Sequence, residues 1–147
     1  MSFTVFWKDA KIYYNVRTYG SFVLSSSFTD EPIYALKKTN LARKIEMYFL
    51  GERVDFSDIK VKLLNLNEFT KRVLLSVRKI PYGKCITYKE LAKSLSTSPR
   101  AVGKALSKNP IPLIIPCHRV VSKSDIGGYS AGVKIKEKLL NLEGIIR

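Results

Sequence analysis

Apolar and polar residues alternate along the first two dozen positions: Phe3, Val5 and Trp7, then Ile12, Tyr14 and Val16, then Phe22 and Leu24. A period of two is that of a strand with one buried face. Turn residues interrupt it around Asp9 and Tyr19-Gly20, so a small antiparallel sheet is predicted. The period then changes. From about Ile33 to Leu50, the residues Leu36, Leu41, Ile45, Tyr48 and Phe49 fall near one helical stripe, with Gly51 as a stop. Glu52 to Leu64 has no clear period and reads as the link between two halves.

The second half begins with Asn67 as an N-cap, and Phe69, Val73, Val77 and Ile80 mark one helical face before Pro81-Tyr82-Gly83 ends it. Thr87-Tyr88-Lys89-Glu90 has the form of a capping box, which predicts a short helix to about Leu95. Ser98 caps a second helix with Pro99 at its first position, and the turn Ser96-Thr97-Ser98 gives helix-turn-helix spacing. Val102, Ala105 and Leu106 face the core, leaving Arg100, Gly103, Lys104 and Ser107 on the other side. Glycine in mid-helix costs about 1 kcal/mol against alanine. Gly103 therefore implies close approach by something bulky, either a DNA backbone or a neighbouring helix. A last helix is predicted from about Lys134 to Leu142, with Ile135, Leu139 and Leu142 inward and Gly144 just past its end.

At 147 residues and 46% hydrophobic content the chain can build its own core. Two cysteines and one histidine are too few for a disulfide framework or a zinc finger, so an intracellular protein without metal is expected. No stretch approaches the ~20 apolar residues of a membrane span, and Met1 to Asp9 lacks the pattern of a secretion signal; a cytoplasmic protein without membrane contact is expected. Net charge is +14, with 26 Lys and Arg against 12 acids. A polyanion is the obvious partner. The absence of Gln with frequent Lys and Ile is the competing explanation, a bias of thermophile proteins, although that trend also enriches Glu.

The chemistry concentrates at Pro116-Cys117-His118-Arg119-Val120, which joins one of the two cysteines to the sole histidine. A thiol with a pKa of about 8.5 is a weak nucleophile until it ionises. An adjacent imidazole is expected to depress that value modestly. The plainer alternative is a buried filler beside a hydrogen-bonded histidine. Ile126 to Gly132 is a glycine-rich loop without the spacing of a nucleotide-phosphate site. Glu143 falls in a final helical turn, where the dipole disfavours a negative charge; its cationic partner is either His118 or a surface Lys or Arg. Cys85, in a strand-like segment, reads as structural.

Taken in order, Ile80-Pro81-Tyr82-Gly83, Thr87-Tyr88-Lys89-Glu90-Leu91-Ala92, Arg100-Ala101-Val102-Gly103, Asn109-Pro110, Ile115 to Val120, Tyr129-Ser130 and Glu143-Gly144 resemble the O6-alkylguanine-DNA alkyltransferases, also called methylated-DNA–protein-cysteine methyltransferases. The resemblance spans roughly Phe69 to Gly144. It implies an α+β fold. Residues 1–64 would form a small ribonuclease-H-like α/β domain with an antiparallel sheet, plus linker. Residues 65–147 would form a mainly helical domain with a winged helix-turn-helix-like DNA-binding motif.

The same resemblance implies direct repair by a monomer without cofactor. The alkyl group of O6-alkylguanine, or of O4-alkylthymine, in double-stranded DNA would pass irreversibly to Cys117 after base flipping, in a single suicidal turnover. His118 would act as base through a bridging water, Glu143 would orient the imidazole, and Tyr88 would protonate the leaving guanine near N3. Asn109 would steady the cysteine loop. Tyr88, Val120, Tyr129, Ser130 and Ala131 would form the guanine pocket, Ala131 standing where many relatives have a second small glycine. Arg100 would fill the space of the flipped base, while Ala101, Gly103, Lys104, Ser107, Thr87 and Arg119 would meet DNA. A cysteine-free lesion sensor, a helix-turn-helix regulator and a Cys-His-Glu hydrolase are the other readings; Cys117 argues against the first.

Overall fold

The alternating segments become a three-stranded antiparallel sheet of β1 (Phe3–Trp7), β2 (Ile12–Tyr19) and β3 (Phe22–Thr29), in that order, in a computed structural model that describes residues 1–146. Inward residues Phe3, Val5, Trp7, Tyr14 and Val16 follow the predicted alternation. In β3 the alternation fails: Val23 is buried and Phe22 exposed. The cause is a register shift between Arg17 and Thr18, which turns the end of the hairpin by one residue.

The helix expected over residues 33–50 forms only as α1 (Asn40–Phe49), capped by Thr39, whose hydroxyl accepts from the Ala42 amide at 3.1 Å. Residues 33–36 instead serve the edge of β1. Thr4 donates its amide to the Ala35 carbonyl, while the Ile33 and Tyr34 amides bond to the side chains of Asn15 and Thr4. Backbone donors committed to a sheet edge cannot also form helical turns, and Leu36 is left exposed.

The linking segment also returns to the sheet, its Lys60 carbonyl and Lys62 amide bonding to Val23. Helix α2 (Glu68–Val77) follows, capped by Asn67. A two-residue strand β4 (Ile86–Thr87) leads into α3 (Tyr88–Ser94), and α4 (Pro99–Leu106) comes after a short turn. The capping box of Thr87 and Glu90 and the Ser98 cap with Pro99 in the first turn are both present. After a long loop, β5 (Val120–Val121) pairs in parallel with β4, and α5 (Val133–Leu142) closes the chain. The fold is thus mixed helix and sheet. Buried residues of both halves form one hydrophobic cluster, from Phe3 and Trp7 through Tyr48 to Val102, Ile114 and Leu139.

Helix α5 begins at Val133, and its inward face is Lys136, Leu139 and Leu140 rather than Ile135, Leu139 and Leu142, which places a fully buried lysine in the core. Cys85 corrects another expectation: it is exposed, so no packing role accounts for it. No helix among the described residues is long and apolar enough to cross a membrane.

Candidate active site

Between α4 and β5 the apolar run Ile111 to Val120 is buried throughout and carries Cys117. Asn109 organises it. Its Oδ1 accepts the Ile111 amide at 2.9 Å, and its Nδ2 donates to the Ile115 carbonyl and to Cys117 Sγ, both at 3.1 Å. Leu113 has φ of 77°, a left-handed conformation that costs an ordinary residue about 1–3 kcal/mol. The sheet holds it there: Tyr14 and Ser26 both donate to the Pro112 carbonyl, at 2.6 and 3.0 Å, and the Ser26 amide bonds to the Pro110 carbonyl. At Pro116 (φ −80°, ψ 59°) the chain makes an inverse γ-turn, closed by the Cys117 amide on the Ile115 carbonyl at 2.8 Å. The Sγ consequently faces a cavity of about 440 Å³ lined by Tyr88, Gly103, Leu106, Ser107, Cys117, Gly128, Tyr129 and Ser130.

His118 is fully buried, and its Nε2 lies 2.6 Å from Glu143 Oε2. Of the two partners open to Glu143, the carboxylate therefore takes His118, together with Arg119. Arg119 donates through Nε to Oε1 at 2.9 Å and through a terminal nitrogen to Oε2 at 3.1 Å, with its other terminal nitrogen on the Ile80 carbonyl. Tyr48 Oη at 2.5 Å and the Gly83 amide at 3.0 Å complete the shell. The expectation that Arg119 meets DNA is overturned: it is buried, and its guanidinium is spent on the acid and the Ile80 carbonyl.

Burial opposes ionisation of Glu143, but the hydrogen bonds and charges of His118 and Arg119 outweigh it and hold the pKa at about 2. Burial keeps His118 below the ordinary imidazole value, so it rests neutral. With Nε2 carrying the proton toward the carboxylate, Nδ1 is the basic nitrogen, and it bonds to no protein group. Burial pushes the Cys117 thiol up to about 11, although the Asn109 amide and the Lys136 charge pull the other way. This reverses the expected depression. Cys117 is only 5% exposed, and desolvation of a thiolate outweighs what neutral His118 offers.

Lys136 escaped the sequence reading. Its ammonium donates to the carbonyls of Val120 at 2.7 Å and Gly128 at 2.9 Å and lies 5.6 Å from the Tyr88 ring centre. Burial lowers its pKa to about 8, against the pull of Cys117. The available signal was spacing, because Lys136, Leu139 and Leu140 share the i, i+3, i+4 face of a helix. Tyr48 carried a weaker signal: a buried tyrosine hydroxyl in an apolar stripe needs a partner.

The remaining predicted residues fall into two groups. Tyr88, Tyr129 and Ser130 line the cavity, while Val120 is buried in β5 and does not line it, and Ala131 follows Ser130 in the loop. Arg100 and Lys104 on α4 and Ser107 at its C-cap are exposed, with Ala101 and Gly103 half-buried beside them. A Cβ on Gly103 would meet nothing within 4 Å, so helix packing does not explain the glycine. Thr87 is occupied by its capping box. A second hollow of about 420 Å³ runs from Thr87, Tyr88 and Lys89 to Pro99, Arg100 and Lys123, and Tyr88 borders both. Among the described residues no group of His, Cys, Asp and Glu could hold a metal ion.

This geometry can be set beside known proteins. The family model for the 6-O-methylguanine DNA methyltransferase DNA-binding domain matches residues 68–145. A methylated-DNA–protein-cysteine methyltransferase of Archaeoglobus fulgidus is 43% identical over 150 residues, covering 97% of this chain and 99% of that one. Its counterpart from Metallosphaera sedula is 57% identical over 104 residues, covering 71% of this chain and 66% of that one. Among solved structures, Mycobacterium tuberculosis OGT in complex with DNA superposes with a TM-score of 0.81 at 28% identity, over 97% of this chain and 91% of that one. The O6-methylguanine-DNA methyltransferase of Pyrococcus kodakaraensis gives 0.76 at 29% identity, over 90% and 92%. With one match spanning the site-bearing half and another nearly the whole length, the chain belongs to the methylated-DNA–protein-cysteine methyltransferase family.

Proposed function

We propose that the protein repairs alkylated DNA directly, moving the alkyl group of O6-alkylguanine in a duplex onto Cys117 once and irreversibly. The observation that carries this reading is Cys117 Sγ at the wall of a 440 Å³ cavity ringed by Tyr88, Tyr129 and Ser130. Such a volume is within the range of small-molecule sites.

In the transfer, Cys117 Sγ bonds to the sp³ carbon on O6 as the carbon–oxygen bond breaks. The thiol proton passes through a bridging water to Nδ1 of His118, and the resulting imidazolium is stabilised by Glu143. Electrons of the broken bond enter the purine, Tyr88 supplies a proton near N3, and the proton held by His118 returns through solvent to the Tyr88 phenolate. The product is a thioether, which Cys85 cannot displace, so each molecule acts once. O4-alkylthymine carries the same kind of ether and is a second substrate class. The backbone near Cys117 and Val120, with Ser130, reads the guanine edge.

An O6-alkyl group lies within the base stack, so the nucleotide must rotate out at a cost of a few kcal/mol. Exposed Arg100 at the start of α4 fills the vacated space, and the open surface at Gly103 admits the minor groove. On this reading residues 1–64 are the ribonuclease-H-like domain and α3–α4 form the helix-turn-helix of a winged motif. Titrating the protein with an equal amount of duplex containing one O6-methylguanine, then mapping peptides by mass spectrometry, tests it. One methyl on Cys117 with guanine restored is expected; tight binding with Cys117 unmodified would overturn the transfer and leave a lesion sensor.

A further inference from the structure

We propose that Tyr48, on the N-terminal helix α1, is a positioning residue for the transfer: its hydroxyl holds the Glu143 oxygen that also binds His118 and limits how strongly that oxygen draws a proton onto the imidazole. The role rests on the repair reading above.

Glu143 Oε2 accepts three donors, Tyr48 at 2.5 Å, His118 at 2.6 Å and Arg119 at 3.1 Å. Donors converging on one oxygen share its charge, so each weakens what remains for the others. The hydroxyl proton belongs to Tyr48 throughout the working range, because burial and the neighbouring carboxylate raise the phenol well above 10 while Glu143 stays ionised. Tyr48 thus acts as a permanent donor. It keeps the imidazole from being trapped as the cation before the thiol gives up its proton.

The ring is locked in place. Tyr48 is fully buried, and Phe49, Phe56 and Tyr82 lie against it with ring centres 5.7 to 5.9 Å away. The donor comes from a helix 95 residues upstream, so the N-terminal half enters the electrostatics of the cysteine site. The other groups acting on the His118–Glu143 pair are Arg119, Tyr82, Tyr129 on the glycine-rich loop, and Lys136 on α5. Among these neighbours, only His118, Arg119 and Tyr48 bond to the carboxylate through side chains.

Tyr48→Phe removes one oxygen and leaves four hydrogen bonds on Glu143. Because His118 is the sole histidine, its titration can be followed by NMR as a single imidazole signal without any substrate. The expected result is a rise of roughly one unit in the His118 midpoint, the size of a lost hydrogen bond to a charged group. The acid limb of the single-turnover rate should move up in pH with it, by about the same one unit. A folded Tyr48→Phe protein with an unmoved midpoint and acid limb would overturn the role, since a purely structural contribution moves only the melting temperature. The unaltered protein gives a second measurement: the Tyr48 hydroxyl proton should show a downfield resonance whose position changes as His118 titrates. A resonance indifferent to that titration overturns the proposal too. Neither NMR measurement needs DNA, so absence of methyl transfer by the unaltered protein would sink the repair reading separately.

Discussion

Gly127 and Tyr88 stand so close that a Cβ on the glycine would lie 2.8 Å from the phenol ring, and Gly127 itself has φ of +76°. Two independent reasons therefore require glycine there: a backbone conformation that side chains disfavour, and a ring that fills the space a side chain would take. The glycine-rich loop is thereby the back wall that aims Tyr88.

Gly127→Ala should push Tyr88 out of line and cost about 1–3 kcal/mol in backbone strain. The expected outcome is a single-turnover rate lowered at least tenfold with duplex affinity nearly unchanged, checked by rapid-quench kinetics beside a binding titration. Equal rates would mean that Tyr88 does not take part in the chemistry.

Asn109→Ala strips the Ile111 amide of its partner in the buried loop, while the Ile115 carbonyl keeps the Cys117 amide. One orphaned buried donor costs about 1–3 kcal/mol, and a stability loss of that size is expected in denaturant unfolding. Transfer should fall as well, because the same amide fixes Cys117 Sγ.

The rate of transfer should be bell-shaped in pH. The proposed mechanism uses neutral His118 as the base, and burial sets its midpoint below 6.5, so the acid limb lies under the ordinary imidazole value. Lys136 loses its charge near pH 8, and with it the cation that favours the thiolate, which places the basic limb there. Lys136→Met should flatten that basic limb and lower the maximum, read from rates between pH 5 and 9.

Acid should unfold the protein through the same cluster. Glu143 has a folded pKa of about 2 against 4.5 for a free side chain, so its stabilising contribution is complete above 4.5 and disappears as pH falls toward 2. His118, buried neutral, adds a loss in the same direction below 6.5. Melting temperature should therefore decline steadily from neutral pH downward, and Glu143→Gln should remove most of the part below 4.5.

Arg100→Ala should spare reaction with a free O6-substituted guanine yet slow reaction in duplex. Equal losses on both would remove its role in holding the flipped state. If about five phosphates are contacted, log affinity should fall against log salt with a slope near −4.5.

How far the chain could be read follows the range of the forces involved. Caps are local, so Thr87, Ser98 and Asn67 announced the starts of α3, α4 and α2 correctly. Leu36 misled because a stripe of apolar residues says nothing about a strand edge that claims their backbone. The pairing of His118 with Glu143 was one of two readings, and nothing short-range separated them. Arg119 was misread for a related reason, since a charge beside a DNA-facing motif looks like a phosphate contact until a buried carboxylate is found to hold it. Tyr48 and Lys136 act across 95 and 16 residues, distances at which spacing alone is silent about polar partners.

On the proposed mechanism the protein is consumed by its own reaction, so its thiol has to survive until the right electrophile arrives. With its pKa at about 11, Cys117 keeps its proton at neutral pH, which makes it a poor target for peroxide, haloacetamides and stray alkylating agents. Exposed Cys85 meets such compounds first. On the proposed mechanism shelf life and selectivity thus have one origin, the burial that keeps the thiol protonated.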